Sequence, residues 1–197
     1  SKSMQAYPQA AATYTQLIAQ FPDSPETKQA YEALATMYDA EMQDYPNAIK
    51  TCEAIVARYK DDPMVLRTLR LMAGIQQNKT NQPAQAIESH LKIADLFKGN
   101  EGLEALLAAE RLALFTTRDW AKAIDINHRI MAFLPGHEEA VKAEFKNAEI
   151  TEEKLGDKTA ARALYAVFLD KHPRHELARD ATRRIEAIDK ASSSATR

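Results

Sequence analysis

Alanine recurs at Ala10, Ala48, Ala86, Ala123 and Ala161, with gaps of 38, 38, 37 and 38 residues. A chain with such a period folds as a stack of like helical units, because one unit alone cannot bury its apolar face and a neighbour completes it. The columns around the alanine keep the same step. Four residues earlier stand Ala6, Asp44, Gln82, Asp119 and Asp157. Aspartate caps a helix well, its carboxylate accepting from the unpaired N–H groups of the first turn. Seven residues after the alanine stand Leu17, Ile55, Ile93, Ile130 and Phe168, and eight after stand Ile18, Val56, Ala94, Met131 and Leu169, all apolar. These offsets share one face of a helix. Pro22, Pro135 and Pro173 then close three of the five units, since proline cannot continue the hydrogen-bond ladder.

The pattern predicts a lone helix over 8–20, then pairs over 25–42 with 46–59, 63–79 with 83–97, 101–117 with 120–133, and 137–155 with 158–171. A final amphipathic helix over 175–190, with Leu177, Ala181, Ile185 and Ile188 on one side, suits a cap for the last apolar face. One domain over 1–190 and a disordered, Ser-rich tail over 191–197 are expected. Lys98-Gly99-Asn100 replaces the proline stop with a glycine stop. Tyr7 falls where a turn is expected, so the first unit starts halfway. That leaves Ala11, Tyr14, Leu17 and Ile18 as an apolar end on which a second copy can stack.

Composition narrows the function classes. The 197 residues are 45% hydrophobic and 27% charged, ordinary for a water-soluble fold. A net charge of −2 argues against nucleic acid as a partner, which calls for a basic stripe. No apolar run reaches the roughly 18 residues of a membrane span. Ser1 to Ala6 lacks the apolar core of a signal peptide. The one cysteine, Cys52, has no intrachain disulfide partner and lies on the apolar side of its helix, as does His90. No glycine-rich phosphate loop, Ser/His/Asp order or metal-spaced cluster appears, so neither catalysis nor a cofactor or metal is expected. His172 and His175 are separated by Pro173, which spoils their use as a helical metal pair. Glu138, Glu139, Glu144, Glu149, Glu152 and Glu153 interleave with Lys142, Lys146 and Lys154. They read as a solvated, self-paired face or as a patch that steers a basic partner.

Tyr45-Pro46-Asn47-Ala48-Ile49, Asp119-Trp120-Ala121-Lys122-Ala123-Ile124 and Gly156-Asp157-Lys158-Thr159-Ala160-Ala161 resemble the turn and second-helix start of tetratricopeptide repeats. Tyr14 and Tyr165 supply the aromatic of that pattern four residues past the alanine, where Cys52, His90 and Asn127 depart from it. Gly74 supplies the small residue twelve before the alanine, where Arg111 and Glu149 depart. The usual period is about 34 residues; the extra helical turn here is placed in the first helix of each pair. The resemblance implies an all-α, right-handed solenoid of antiparallel helix pairs that binds protein or peptide partners. Phe21-Pro22-Asp23-Ser24-Pro25-Glu26 and His172-Pro173-Arg174-His175-Glu176-Leu177-Ala178 further resemble repeat junctions of bacterial cell-envelope members of that family. That implies a periplasmic or outer-membrane-associated setting, with the cytoplasm as the alternative. A self-associating subunit, or a recruiting module of a longer protein, is the rival function.

In that family the first helices line the concave face. By register, Leu71, Ile75, Ala108, Leu112, Phe115, Lys146, Ile150 and Glu153 fall there. One reading is an apolar trough of Leu71, Ile75, Leu112 and Phe115, flanked by Glu32, Asp39 and Lys146, which takes an amphipathic helix or extended peptide. The other is that the apolar members are core between helices.

Overall fold

The structure of the chain, a computed structural model, describes residues 2–195, with side chains described over 6–193. The described residues are helical and contain no strand. The helices are α1 (Lys2–Gln20), α2 (Pro25–Thr36), α3 (Tyr45–Arg58), α4 (Met64–Asn78), α5 (Pro83–Leu96), α6 (Asn100–Arg111), α7 (Trp120–Phe133), α8 (Glu138–Glu153), α9 (Lys158–Lys171) and α10 (Ala178–Ala195). A wider π-helical turn extends α2 over Met37–Glu41 and α6 over Leu112–Thr117. Two compact units are formed, Ser1–Gly102 and Leu103–Arg197, where the sequence led us to expect one domain over 1–190. The division falls just past Gly99, which takes a left-handed φ of 80° where other junctions have proline. In the first unit α1 packs on α2, α2 on α3, α3 on α4 and α4 on α5; in the second α7 packs on α8, α8 on α9 and α9 on α10. This is the consecutive pairing of a tetratricopeptide-like solenoid.

The alanine column is the packing seam. Ala48, Ala86, Ala123 and Ala161 are fully buried, and Ala10 is half-buried. A methyl group lets the two helices of a pair approach closely, and Ile55, Ile93, Ile130 and Phe168 fill the next two turns of the same face, each at most 1% exposed. The second helices α3, α5, α7 and α9 are all 14 residues long. The first helices are longer, 15 in α4 and 16 in α8, so the added length lies there.

Each pair turns through one motif. Gln43, Asn81, Arg118 and Gly156 take left-handed φ values of 52°, 51°, 53° and 73°. The next residue donates its N–H six residues back: Asp44 to Tyr38 O (2.8 Å), Gln82 to Gln76 O (2.6 Å), Asp119 to Ala113 O (3.0 Å) and Asp157 to Thr151 O (3.1 Å). Asp44, Asp119 and Asp157 then cap the second helix, accepting from the N–H of Asn47, Lys122 and Ala160. Gly156 suits the left-handed site because that φ costs other residues about 1–2 kcal/mol. A Cβ at Gly156 would meet nothing within 4 Å. Gly156→Ala is therefore expected to cost about 1 kcal/mol through the backbone alone, and Arg118→Gly to stabilise by a similar amount. Urea midpoints moving in opposite directions at unchanged slope check both.

Three local expectations are corrected. Tyr7 does not sit at a turn: α1 runs from Lys2 through Pro8 to Gln20. Proline's fixed φ is itself helical, and Pro8 costs the helix one early hydrogen bond. Ala11 is buried, and Tyr14, Leu17 and Ile18 are half-buried, because α1 packs on α2 and its π turn. The tail does not begin at 191: α10 continues to Ala195, with the Ser192 and Ser193 hydroxyls donating to Ile188 O (3.0 Å) and Asp189 O (2.9 Å). Residues 196 and 197 of the expected tail lie outside the described residues.

The departures from the repeat pattern are packed in. Cys52 is buried, and burial pushes its thiol up to about 12, with Asp39 and Glu53 adding to the effect; it is no nucleophile. The buried Asn127 donates to Asn147 Oδ1 at 2.8 Å. A Cβ at Gly74 would meet nothing within 4 Å, so the column also takes Arg111 and Glu149.

Candidate functional site

The second unit carries an open groove of about 490 Å³. One wall is α8, whose Lys146, Glu149, Ile150 and Glu153 recur at helical spacing on a single stripe, continued by Lys154 at its C-cap. The other is the π turn after α6, giving Leu114 and Phe115, followed by Arg118 of the left-handed turn and Trp120 at the start of α7. The π turn sets the geometry. Leu112 and Ala113 point into the core, while Phe115 is turned out with 76% of its surface exposed. Wide turns of this kind often mark functional sites. Phe115 is the most exposed large apolar side chain of the described residues.

The charges are unevenly committed. Lys146 Nζ donates to both carboxylate oxygens of the buried Glu110, each at 2.8 Å. Arg184 of α10 approaches the α8 acids from beyond the groove: Glu153 at 2.7 Å, Glu152 at 3.1 Å and Glu149 at 3.5 Å. Tyr165 also donates its hydroxyl to Glu152 at 3.0 Å. Burial pushes the Glu149 carboxyl above its ordinary range, against the pull of Arg184. Lys154 Nζ lies 5.8 Å from the centre of the Trp120 ring, within cation–π reach.

The rest of the acidic face of α8 is also turned to structure. Glu144 meets Lys171 at 2.5 Å and His172 at 2.9 Å, and Glu138 meets His175 at 3.4 Å. The two histidines serve as partners of α8 and as ring contacts of Phe168, His172 tilted and His175 edge-on. No group of three metal-ligating side chains occurs among the described residues. Burial resists ionisation of Glu144, but Lys171 and His172 outweigh it and hold its carboxyl below the ordinary 4.5. Arg184 lowers Glu153, His175 and Lys142 lower Glu138, and Arg162 lowers Asp189. Depressed values stabilise the fold above the ordinary carboxylate pKa, and that contribution is lost as pH falls through the folded values. Lys28 lowers Asp62 and backbone hydrogen bonding lowers Glu26 in the first unit, so Glu149, with the opposite sign, is one group against six. The melting temperature is therefore expected to fall between about pH 5 and pH 3, which circular dichroism reads directly.

The seven residues expected at the site separate. Phe115 and Lys146 line the groove. Leu112 is 5% exposed and Ile75 is 2% exposed, so both are core: first-helix residues of their register are covered by the paired second helix. Leu71 is half-buried, Glu32 pairs with Arg67 at 2.7 Å, and Asp39 is half-buried in the first π turn; these and Ile75 belong to the first unit. Leu114, Arg118 and Trp120 were missed, and Lys154 entered only as part of the charged face that ends α8. Trp120 read only as part of the turn and helix-start motif Asp119-Trp120-Ala121-Lys122-Ala123-Ile124. Arg118 stands where Gly156 stands in the last pair, an irregularity that could have flagged it.

No helix of the described residues is long and apolar enough to cross a membrane. No curated protein matches the chain. A tetratricopeptide-repeat family model matches residues 1–24 and 148–175. The matches end at Ser24 and His175, each two residues past a junction proline, Pro22 and Pro173. These independent matches stop at one point of the alanine register that the helix pairs follow, so in both segments the chain is similar to tetratricopeptide repeats.

Proposed function

We propose that the chain is a docking scaffold that holds a partner protein at the groove beside Phe115. The repeats of this family are interaction modules rather than enzymes, and an extended stack offers surface rather than a closed cleft. The observation that carries the reading is Phe115: a phenyl ring 76% exposed, beside Trp120 and Ile150, in an open groove whose remaining lining is largely charged. Aromatic side chains in such positions are the usual anchors of interfaces. The junction Phe21-Pro22-Asp23-Ser24-Pro25-Glu26 favours a bacterial envelope setting.

Affinity capture from native extract with wild-type chain and with Phe115→Glu tests the reading. Because Phe115 is exposed, the variant is expected to keep the wild-type helical spectrum and to lose the partner. A partner retained equally by the folded variant would place docking elsewhere.

A further inference from the structure

We propose that the groove selects an acidic peptide segment: a bulky apolar side chain seated against Phe115, with an adjacent carboxylate bound by Arg118. This rests on the reading of the groove as a docking surface and specifies its occupant. The argument is one of spare donors and spent acceptors. The two groove acids, Glu149 and Glu153, are engaged by Arg184 from behind, which lowers their value to a basic partner. The ammonium of Lys146 is committed to Glu110. Arg118 makes no ion pair with a described residue, and its planar guanidinium offers five N–H donors in a fork that fits a carboxylate. It occupies a left-handed backbone site, φ 53°, that glycine would fill without strain. The unpaired cation and the exposed ring are three residues apart at the end of one helix. An apolar residue and a neighbouring Asp or Glu of an extended segment can engage both.

A phage-displayed library of random peptides, selected on the full chain, provides the probe. The most enriched sequence, synthesised with a fluorescein label, is then titrated by polarisation. Enrichment of Asp or Glu beside Leu, Phe, Ile or Met is expected, with binding about tenfold weaker for Phe115→Ala and roughly fivefold weaker for Arg118→Glu. Binding should also weaken as salt rises. Arg118→Gly relieves the backbone, so it should be at least as stable as wild type and still bind less tightly; weakened binding then cannot be ascribed to unfolding. Enrichment of Lys- or Arg-flanked sequences, or tighter binding by Arg118→Glu, overturns the acidic-segment proposal while a Phe115 dependence leaves the docking reading standing. Binders indifferent to Phe115, or no enrichment at all, overturn both.

Discussion

Phe168→Ala is expected to lower the stability of the chain by about 3–5 kcal/mol, a loss set by the burial of a whole phenyl ring. Phe168 is fully buried in the cluster of Val141, Phe145, Ala148, Ala161, Tyr165, Ala181 and Ile188, which joins α8, α9 and α10. Its ring meets that of Phe145 at 5.3 Å, edge to face, and those of His172 and His175 at 5.1 and 6.0 Å. Truncation removes the transfer energy of the ring and leaves a cavity that three helices would have to close. It also loosens the histidines that reach Glu144 and Glu138, so the packing and ion-pair losses add. A melting temperature about 10 °C lower follows for a chain of this size. The neighbouring Val167, 45% exposed on the same helix, supplies the contrast: Val167→Ala should shift stability by no more than about 0.5 kcal/mol. Equal effects at the two positions would contradict the register of α9, which turns Phe168 inward and Val167 out.

That register was legible from residue types because packing repeats. Ala161 and Phe168 share a face by helical period, and the Ile/Phe column at offset seven is buried in α3, α5, α7 and α9 alike. The Asp caps were legible for the same reason: Asp44, Asp119 and Asp157 each answer an identical local need for an acceptor. The groove does not repeat, and most of it was not legible. Phe115 and Leu112 both read as inward apolar residues; a π turn sends one out and leaves the other in. A wider turn changes the angle between successive side chains, and composition at fixed helical spacing carries no sign of it. Arg184 was invisible for another reason. Its three carboxylate partners lie far upstream, at Glu149, Glu152 and Glu153, and only the packing of α10 beyond α8 joins them. The acidic face of α8, legible as charge, was therefore open to reading as a free patch, although α9, α10 and the junction between them engage five of its acids.

Lys146→Met should destabilise the chain by about 2 kcal/mol, because it leaves the Glu110 carboxylate buried without its cation. The Glu110 side chain is 4% exposed and the Lys146 side chain 36%, so the cost is set below that of a wholly buried pair. Methionine keeps the apolar stem of the lysine along the groove wall, which confines the change to the lost charge. The double variant Glu110→Leu with Lys146→Met removes both charges and should recover most of the loss, as replacing a buried pair by apolar side chains often does. Urea denaturation of the wild type, both single variants and the double variant gives the coupling energy between the two sites. A Lys146→Met variant as stable as wild type would show that Glu110 finds another partner or water. The same four proteins separate folding from binding at the groove. Where the double variant regains stability and still binds the selected acidic peptide, the Lys146 ammonium acts on Glu110 alone, and the partner's carboxylate falls to Arg118.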